Sequence, residues 1–173
     1  NNLLLQTHFN AKIYAPAAAL PFMLQSHQTK QRLYLRVLWN YPEPSSGYPL
    51  GKTLNTGKHT FDIIHTPGHS PDHICLYEPN EKMLFTGDMF CGEHVKYLRQ
   101  DEDFNQILSS LHKLECLDVH TIFCGVAGAV PNGGQALKKK ISFMEGLSSQ
   151  AWTLYREGVS PTHIRRRLLG REG

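Results

Sequence analysis

The chain has 173 residues, of which 40% are hydrophobic and 19% charged, with a net charge of +3 at pH 7. Such a chain is long and apolar enough for one globular domain with its own core, which excludes intrinsic disorder. No apolar run reaches the roughly 18 residues of a membrane span, no basic start leads into an apolar signal region, and the charge is too small to argue for nucleic acid by itself.

In chain order, Ala11–Ala15 (AKIYA) predicts a short strand. Residues 16–30 are alanine-rich, but Pro16 and Pro21 limit any helix there. The run QRLYLRVLW over 31–39 fits helix and strand alike. Residues 40–51 hold Pro42, Pro44, Pro49, Gly47 and Gly51 and predict a loop. Asn55–Lys58 predicts a turn and His59–His65 a strand. Residues 73–78 and 83–87 flank Pro79-Asn80-Glu81-Lys82 and predict a hairpin. Residues 103–117 switch to helical period, with Phe104, Ile107, Leu108, Leu111 and Leu114 on one face and Asp103 as N-cap, Gln106 three residues on. His120–Cys124 reads as another strand and Gly125–Gly134 as a glycine-rich loop. A long helix follows over 135–157, its buried face carrying Leu137, Ile141, Met144 and Leu147. Ser160-Pro161 then opens a last short helix, serine as cap and proline at the first position. Sheet strands interleaved with helices place the chain in the α/β (α+β) class.

The four cysteines, Cys75, Cys91, Cys116 and Cys124, show no CxxC spacing and read as reduced, mostly buried thiols of a cytoplasmic protein. Asn1 opens the chain with no lead-in and Arg171-Glu172-Gly173 follows directly on a helical pattern, so the chain reads as a fragment or a processed piece.

The hairpin concentrates the chemistry. Across a turn centred near residues 80–81, Asp88 lies opposite His73, and His69 sits just beyond in the entering loop. Strands about 4.8 Å apart then gather His69, Asp72, His73 and Asp88 at the open end. Imidazole nitrogen and carboxylate oxygen are the usual ligands of zinc and related ions. A lone histidine beside a turn is more often a solvated or hydrogen-bonded residue.

Thr66-Pro67-Gly68-His69-Ser70, the hairpin, and Phe85-Thr86-Gly87-Asp88 closely resemble the metallo-β-lactamase superfamily of metal-dependent hydrolases. The resemblance runs over most of 11–170. It implies an αββα sandwich, here incomplete, with a core over 1–134 and a C-terminal helical extension over 135–173. It implies that His69 is a metal ligand, that Asp88 bridges two ions and orients the attacking hydroxide, and that His73 is a neighbour. The cofactor would be zinc or another divalent transition metal where the site is complete, and there would be none where it is not. His65 or Asp62 could orient His69 from behind, although a strand-face role suits both better. Cys91, Glu93 and His94 are substitute ligands in principle, the plain polar-loop reading weighing more, and Cys124 is a further substitute. Residues 40–51 and 89–102 are the candidates to line a substrate.

Two departures matter. The family's HxHxDH motif is absent: no aspartate precedes Asp62, and only His8, His27 and His59 stand before it. After the strand at 120–124 the family carries a proline-glycine-histidine-glycine stretch, and here Val126 stands at the histidine, a lost ligand position. The implied activity is hydrolysis of an ester, thioester, lactam or phosphodiester by metal-bound hydroxide, this chain being an incomplete or degenerate form. The alternatives are a non-catalytic relative serving as a binding or scaffold protein and, more weakly, a nuclease-like nucleic-acid binder resting on Lys138-Lys139-Lys140 and Arg165-Arg166-Arg167. Exposed Leu3-Leu4-Leu5 and Phe22-Met23-Leu24 would associate with a missing N-terminal portion or with a second copy; the substrate is an unidentified small molecule and no membrane is involved.

Overall fold

The computed structural model describes residues 2–25, 43–94, 99 and 101–170. The run at 31–39, part of the loop at 40–51 and most of 95–100 lie outside the described residues. The chain falls into two compact units, 1–54 and 55–173.

The first unit holds helix α1 (Asn2–Phe9), a 3-10 turn (Ala17–Ala19) and helix α2 (Leu20–Leu24). Strands β1 (Tyr14–Ala15) and β2 (Tyr48–Pro49) form a small parallel pair, closed by Tyr48 N–H on the Ile13 carbonyl and Leu50 N–H on the Ala15 carbonyl, 2.8 Å each. The strand expected over 11–15 is thus shorter, and the expected loop at 40–51 contributes a strand. Neither helix buries a residue; of the two apolar runs expected to be exposed, Leu4, Leu5, Phe22 and Leu24 are, while Leu3 and Met23 are half-buried.

Strand β3 (Thr53–Asn55) spans the division of the units, and the second unit is built on strands in the order β4-β5-β6-β7-β8: Thr60–His65, Ile74–Glu78, Met83–Gly87, Thr121–Cys124 and Gly128–Pro131. The 73–87 hairpin forms as expected, with Leu76 opposite Phe85 and Glu78 opposite Met83. Glu78 ties the turn by accepting from the Glu81 N–H at 2.5 Å and from the Asn80 amide at 3.2 Å. β6 and β7 pair in parallel, which needs a crossover, supplied by α3 (Phe104–Glu115). Asp103 caps α3, accepting from the Gln106 N–H at 3.0 Å.

One expectation fails here. Gly125–Gly134 is not a loop throughout: Gly128–Pro131 is the antiparallel edge strand β8. Gly128, Ala129 and Pro131 outweigh Val130 and leave little strand signal, but an edge strand tolerates Pro131, which has no N–H to give, because one side of an edge strand needs no ladder donor. Helix α4 therefore starts early, at Gly133, and runs to Arg156. α5 (Pro161–Leu169) follows, but Ser160 does not cap it by the expected side-chain bond to the backbone; its hydroxyl pairs with His163 Nδ1 at 2.7 Å.

The core lies on one face of the sheet. Cys75, Tyr77, Leu84 and Ile122 point from alternate strand positions onto Leu111 and Leu114 of α3 and Leu137, Ile141 and Met144 of α4. Leu147 is only half-buried. The first half of α4 thus packs into the core that α3 covers. The other face carries a half-buried row in which Phe85 stacks on Phe123 at 4.7 Å and meets Phe61 edge-on at 5.6 Å. None of the described helices is long and apolar enough to cross a membrane.

Candidate functional site

The residues between β4 and β5 form a loop hung from the sheet and nailed to α3. Thr66 N–H donates to the His73 carbonyl at 3.0 Å, closing its neck. Asp103 N–H reaches the Gly68 carbonyl and the Ser110 hydroxyl the Pro67 carbonyl, each at 2.8 Å. Gly68 stands at φ +133° so close to α3 that a Cβ there would lie 2.4 Å from Ile107 N. That contact fixes where His69 leaves the loop.

Asp88 is presented by a different device. Between β6 and β7 the register slips: Phe85 faces Phe123, but Gly87 faces Cys124. The extra residue makes a bulge, and bulges re-aim the side chain that follows. Gly87 takes φ +50°, with a hypothetical Cβ 3.2 Å from His73 Nε2. Asp88 emerges half-exposed, with Gly125 of the β7–β8 connection against its Oδ1.

His69 and Asp88 converge, with Nε2 and Oδ2 3.4 Å apart. His69 Nδ1 sits 2.8 Å from Glu102 Oε1. A carboxylate only accepts, so Nδ1 donates to Glu102 and Nε2 is the nitrogen left facing Asp88. A carboxylate behind a histidine in this way fixes the tautomer of a metal ligand. Donors bound to one tetrahedral ion at about 2.0–2.1 Å lie about 3.3–3.4 Å apart, so the observed separation fits a shared ion. Their number does not make a full site: among the described residues no cluster of three or more His, Cys, Asp or Glu could hold a metal.

The other candidates are placed as follows. His73 meets His69 edge-on at 5.8 Å and bonds Thr66 Oγ1 through Nδ1 at 2.9 Å. Burial first, then His69, holds its pKa below the ordinary histidine value. Asp72 is taken by the Ser70 hydroxyl at 2.7 Å. His65 bonds the Pro71 carbonyl at 3.0 Å, so neither it nor the exposed Asp62 orients His69; Glu102 does. Cys91 donates to the Asp88 carbonyl at 3.3 Å, and burial, then Asp88, raises its pKa. Cys124 is buried and accepts from the Ala127 N–H at 3.0 Å, while His94 packs edge-on against Phe143 and Glu93 pairs with Lys139. None of these joins the His69–Asp88 pair as a third donor. Val126, the lost ligand position, is 74% exposed, so its branch lies in solvent. The lysine triplet is no basic patch either, since Lys140 is buried and Lys139 is paired.

The chain is 28% identical over 102 residues to the atrochrysone carboxyl ACP thioesterase of Aspergillus fumigatus, covering 58% of this chain and 31% of that protein. It is 36% identical over 69 residues to a hydroxyacylglutathione hydrolase of Francisella tularensis subsp. novicida, covering 39% of this chain and 27% of that one. The match thus spans about a third or less of each of these relatives. A solved metallo-beta-lactamase family protein of Thermus thermophilus shares the fold, with TM-score 0.67, 18% identity, and coverage of 93% of this chain and 62% of that one. The sequence model of the metallo-beta-lactamase superfamily matches residues 1–126. With that match over most of its length and with this fold, the chain belongs to the metallo-beta-lactamase superfamily.

Proposed function

We propose that this chain carries one half of a metal-dependent hydrolase site of the αββα type, acting on an ester or thioester, the remaining donors lying outside the described residues. The observation that carries the reading is His69 Nε2 aimed at Asp88 while Glu102 holds Nδ1. The thioester-cleaving names of relatives at 28% and 36% identity support the substrate class.

A bound divalent ion, zinc or another transition metal, would acidify water and polarise a carbonyl. The protein's own part is positional. Glu102 keeps the proton on Nδ1 and the Nε2 lone pair free. Asp88 offers a half-exposed carboxylate that can take a proton from an approaching water. His73, held by Thr66 and partly buried, packs on His69 and limits its swing.

A second reading, a non-catalytic binding relative, draws on Val126 and on the missing third donor. Zinc titration of the 173-residue chain separates them. At most one equivalent should bind, weakly, and His69→Ala or Asp88→Ala should abolish it. Glu102→Ala should weaken it by about 10–100-fold, the usual cost of losing such a support. Turnover of generic esters, thioesters, lactams and phosphodiesters by this chain should be slight. Two tightly held ions on copurification, or unchanged binding in both ligand variants, would overturn the proposal.

A further inference from the structure

The last turns of α4 and helix α5 bury apolar residues of their own. Leu154 and Ile164 are buried, yet neither belongs to the main core cluster. Ile164 also lines a pocket of about 510 Å³ that α4, α5 and Phe104 at the start of α3 border. Leu147, Ala151, Trp152 and Tyr155 line it from α4, and Leu168 and Leu169 from α5. Positions 147, 151 and 155 stand one above another on the helix, so they make a stripe about 12 Å long at the α-helical rise.

Among the described residues of the unit 55–173, Val126, Trp152 and Tyr155 are the large apolar side chains left exposed, and two of the three line this pocket. The Trp152 and Tyr155 rings meet edge-on at 5.8 Å, an arrangement their quadrupoles favour. A pocket of a few hundred cubic ångströms, mostly apolar and aromatic with few polar groups, is the usual form of a small-molecule site. Its charge has one sign. Among the described residues that line it Arg165 alone is charged. From Gly146 to Gly170 the sequence holds Arg156, Arg165, Arg166 and Arg167 against one acid, Glu157. An apolar slot with a cationic edge complements an aliphatic chain that ends in an anion.

We propose that this pocket binds a straight-chain aliphatic carboxylate, with the chain along the 147–151–155 stripe and the carboxylate on Arg165. The inference is independent of the hydrolase reading, since none of His69, Asp88 and Glu102 lines the pocket. A guanidinium has five N–H donors and takes a carboxylate with two of them, so Arg165 can receive one alongside any bond it makes within the protein. The chain supplies affinity by leaving water, and the arginine selects the head group.

The chain has two tryptophans, Trp39 and Trp152, so in a full-length Trp39→Phe chain the indole fluorescence reports on the pocket alone. That chain, metal-free, would be titrated with octanoate, octanol, octylamine and acetate, each below its micelle concentration. Calorimetric titration of the unsubstituted chain repeats the measurement without any substitution. Saturable octanoate binding is expected, weaker by about tenfold in Arg165→Gln, the usual effect of losing one charge-assisted hydrogen bond. Arg165→Lys, which keeps the charge, should recover part of the loss. Ala151→Phe, which fills the slot, should abolish binding. Octanol should bind less tightly than octanoate and be indifferent to Arg165→Gln, while acetate and octylamine should not saturate. Absence of saturable octanoate binding in the unsubstituted chain overturns the inference whether or not the variants fold. Octanol or octylamine binding as tightly as octanoate does so too, as does equal octanoate binding by an Arg165→Gln chain that melts like its parent. A dimer in sedimentation that Ala151→Phe disperses would give the pocket to a second copy and overturn the inference as well.

Discussion

Glu102 and His69 are 33 positions apart, yet their 2.8 Å contact decides which imidazole nitrogen faces Asp88. Sequence spacing reaches His69 and Asp88, because a hairpin register is arithmetic: with Leu76 opposite Phe85, residue 73 falls opposite 88. It does not reach Glu102, whose position depends on how the 66–73 loop docks against α3. The one available signal was adjacency, since Glu102 stands immediately before the cap Asp103, whose N–H grips Gly68. Exposure and pKa likewise separate the four cysteines. Cys75 is fully buried, and burial pushes its thiol up to about 11, partly countered by Thr66. Only the thiolate alkylates, and a raised pKa means less thiolate at a given pH. At pH 8, iodoacetamide should therefore label exposed Cys116 first and Cys91, raised by burial and Asp88, more slowly. Cys75 and Cys124 should label only after denaturation. Peptide mass mapping against time checks the order, and early labelling of Cys75 would contradict the core assignment.

At the scale of elements, periodicity was the reliable guide. α3 and α4 repeat apolar residues at helical spacing, and Leu111, Leu114, Leu137, Ile141 and Met144 are buried as that spacing requires. β8 was illegible because a single apolar residue, the half-buried Val130, stands among exposed Gly128, Ala129 and Pro131; it is a strand because β7 offers a ladder. The site itself depends on how elements meet, and Gly68 shows it most sharply. At φ +133° an L-residue is strained, and its Cβ would meet the backbone of α3 at 2.4 Å. Gly68→Ala should cost about 2 kcal/mol or more through strain and overpacking and should displace His69. Gly87→Ala should be milder, since its Cβ would meet a histidine ring at 3.2 Å and φ +50° is a region that some L-residues adopt. Urea unfolding gives the first quantity, and the His69 ring shifts by NMR give the second. A Gly68→Ala chain as stable as the parent would show that the loop does not sit on α3 as described.

Across the molecule the two units differ in what holds them. Every member of the buried core cluster falls between Cys75 and Met144, inside the unit 55–173. Among the described residues of the other unit the only buried one is Ser45, and its helices expose Leu4, Leu5, Phe22 and Leu24. Hydrophobic burial is the dominant favourable term in folding, so the unit with the core should fold without the unit that lacks one. Residues 55–173 expressed alone should unfold cooperatively, with a midpoint within a few degrees of the whole chain's. Residues 1–54 alone should show no cooperative transition. The sequence pointed the same way only in expecting the apolar runs Leu3-Leu4-Leu5 and Phe22-Met23-Leu24 to be exposed. Calorimetry of the two pieces and of the whole checks this. A non-cooperative melt of 55–173 would mean that the core needs the first unit to hold its shape. His69, Asp88 and Glu102 would then depend on it too, because the loops that carry them hang from the strands and the helix which that core supports.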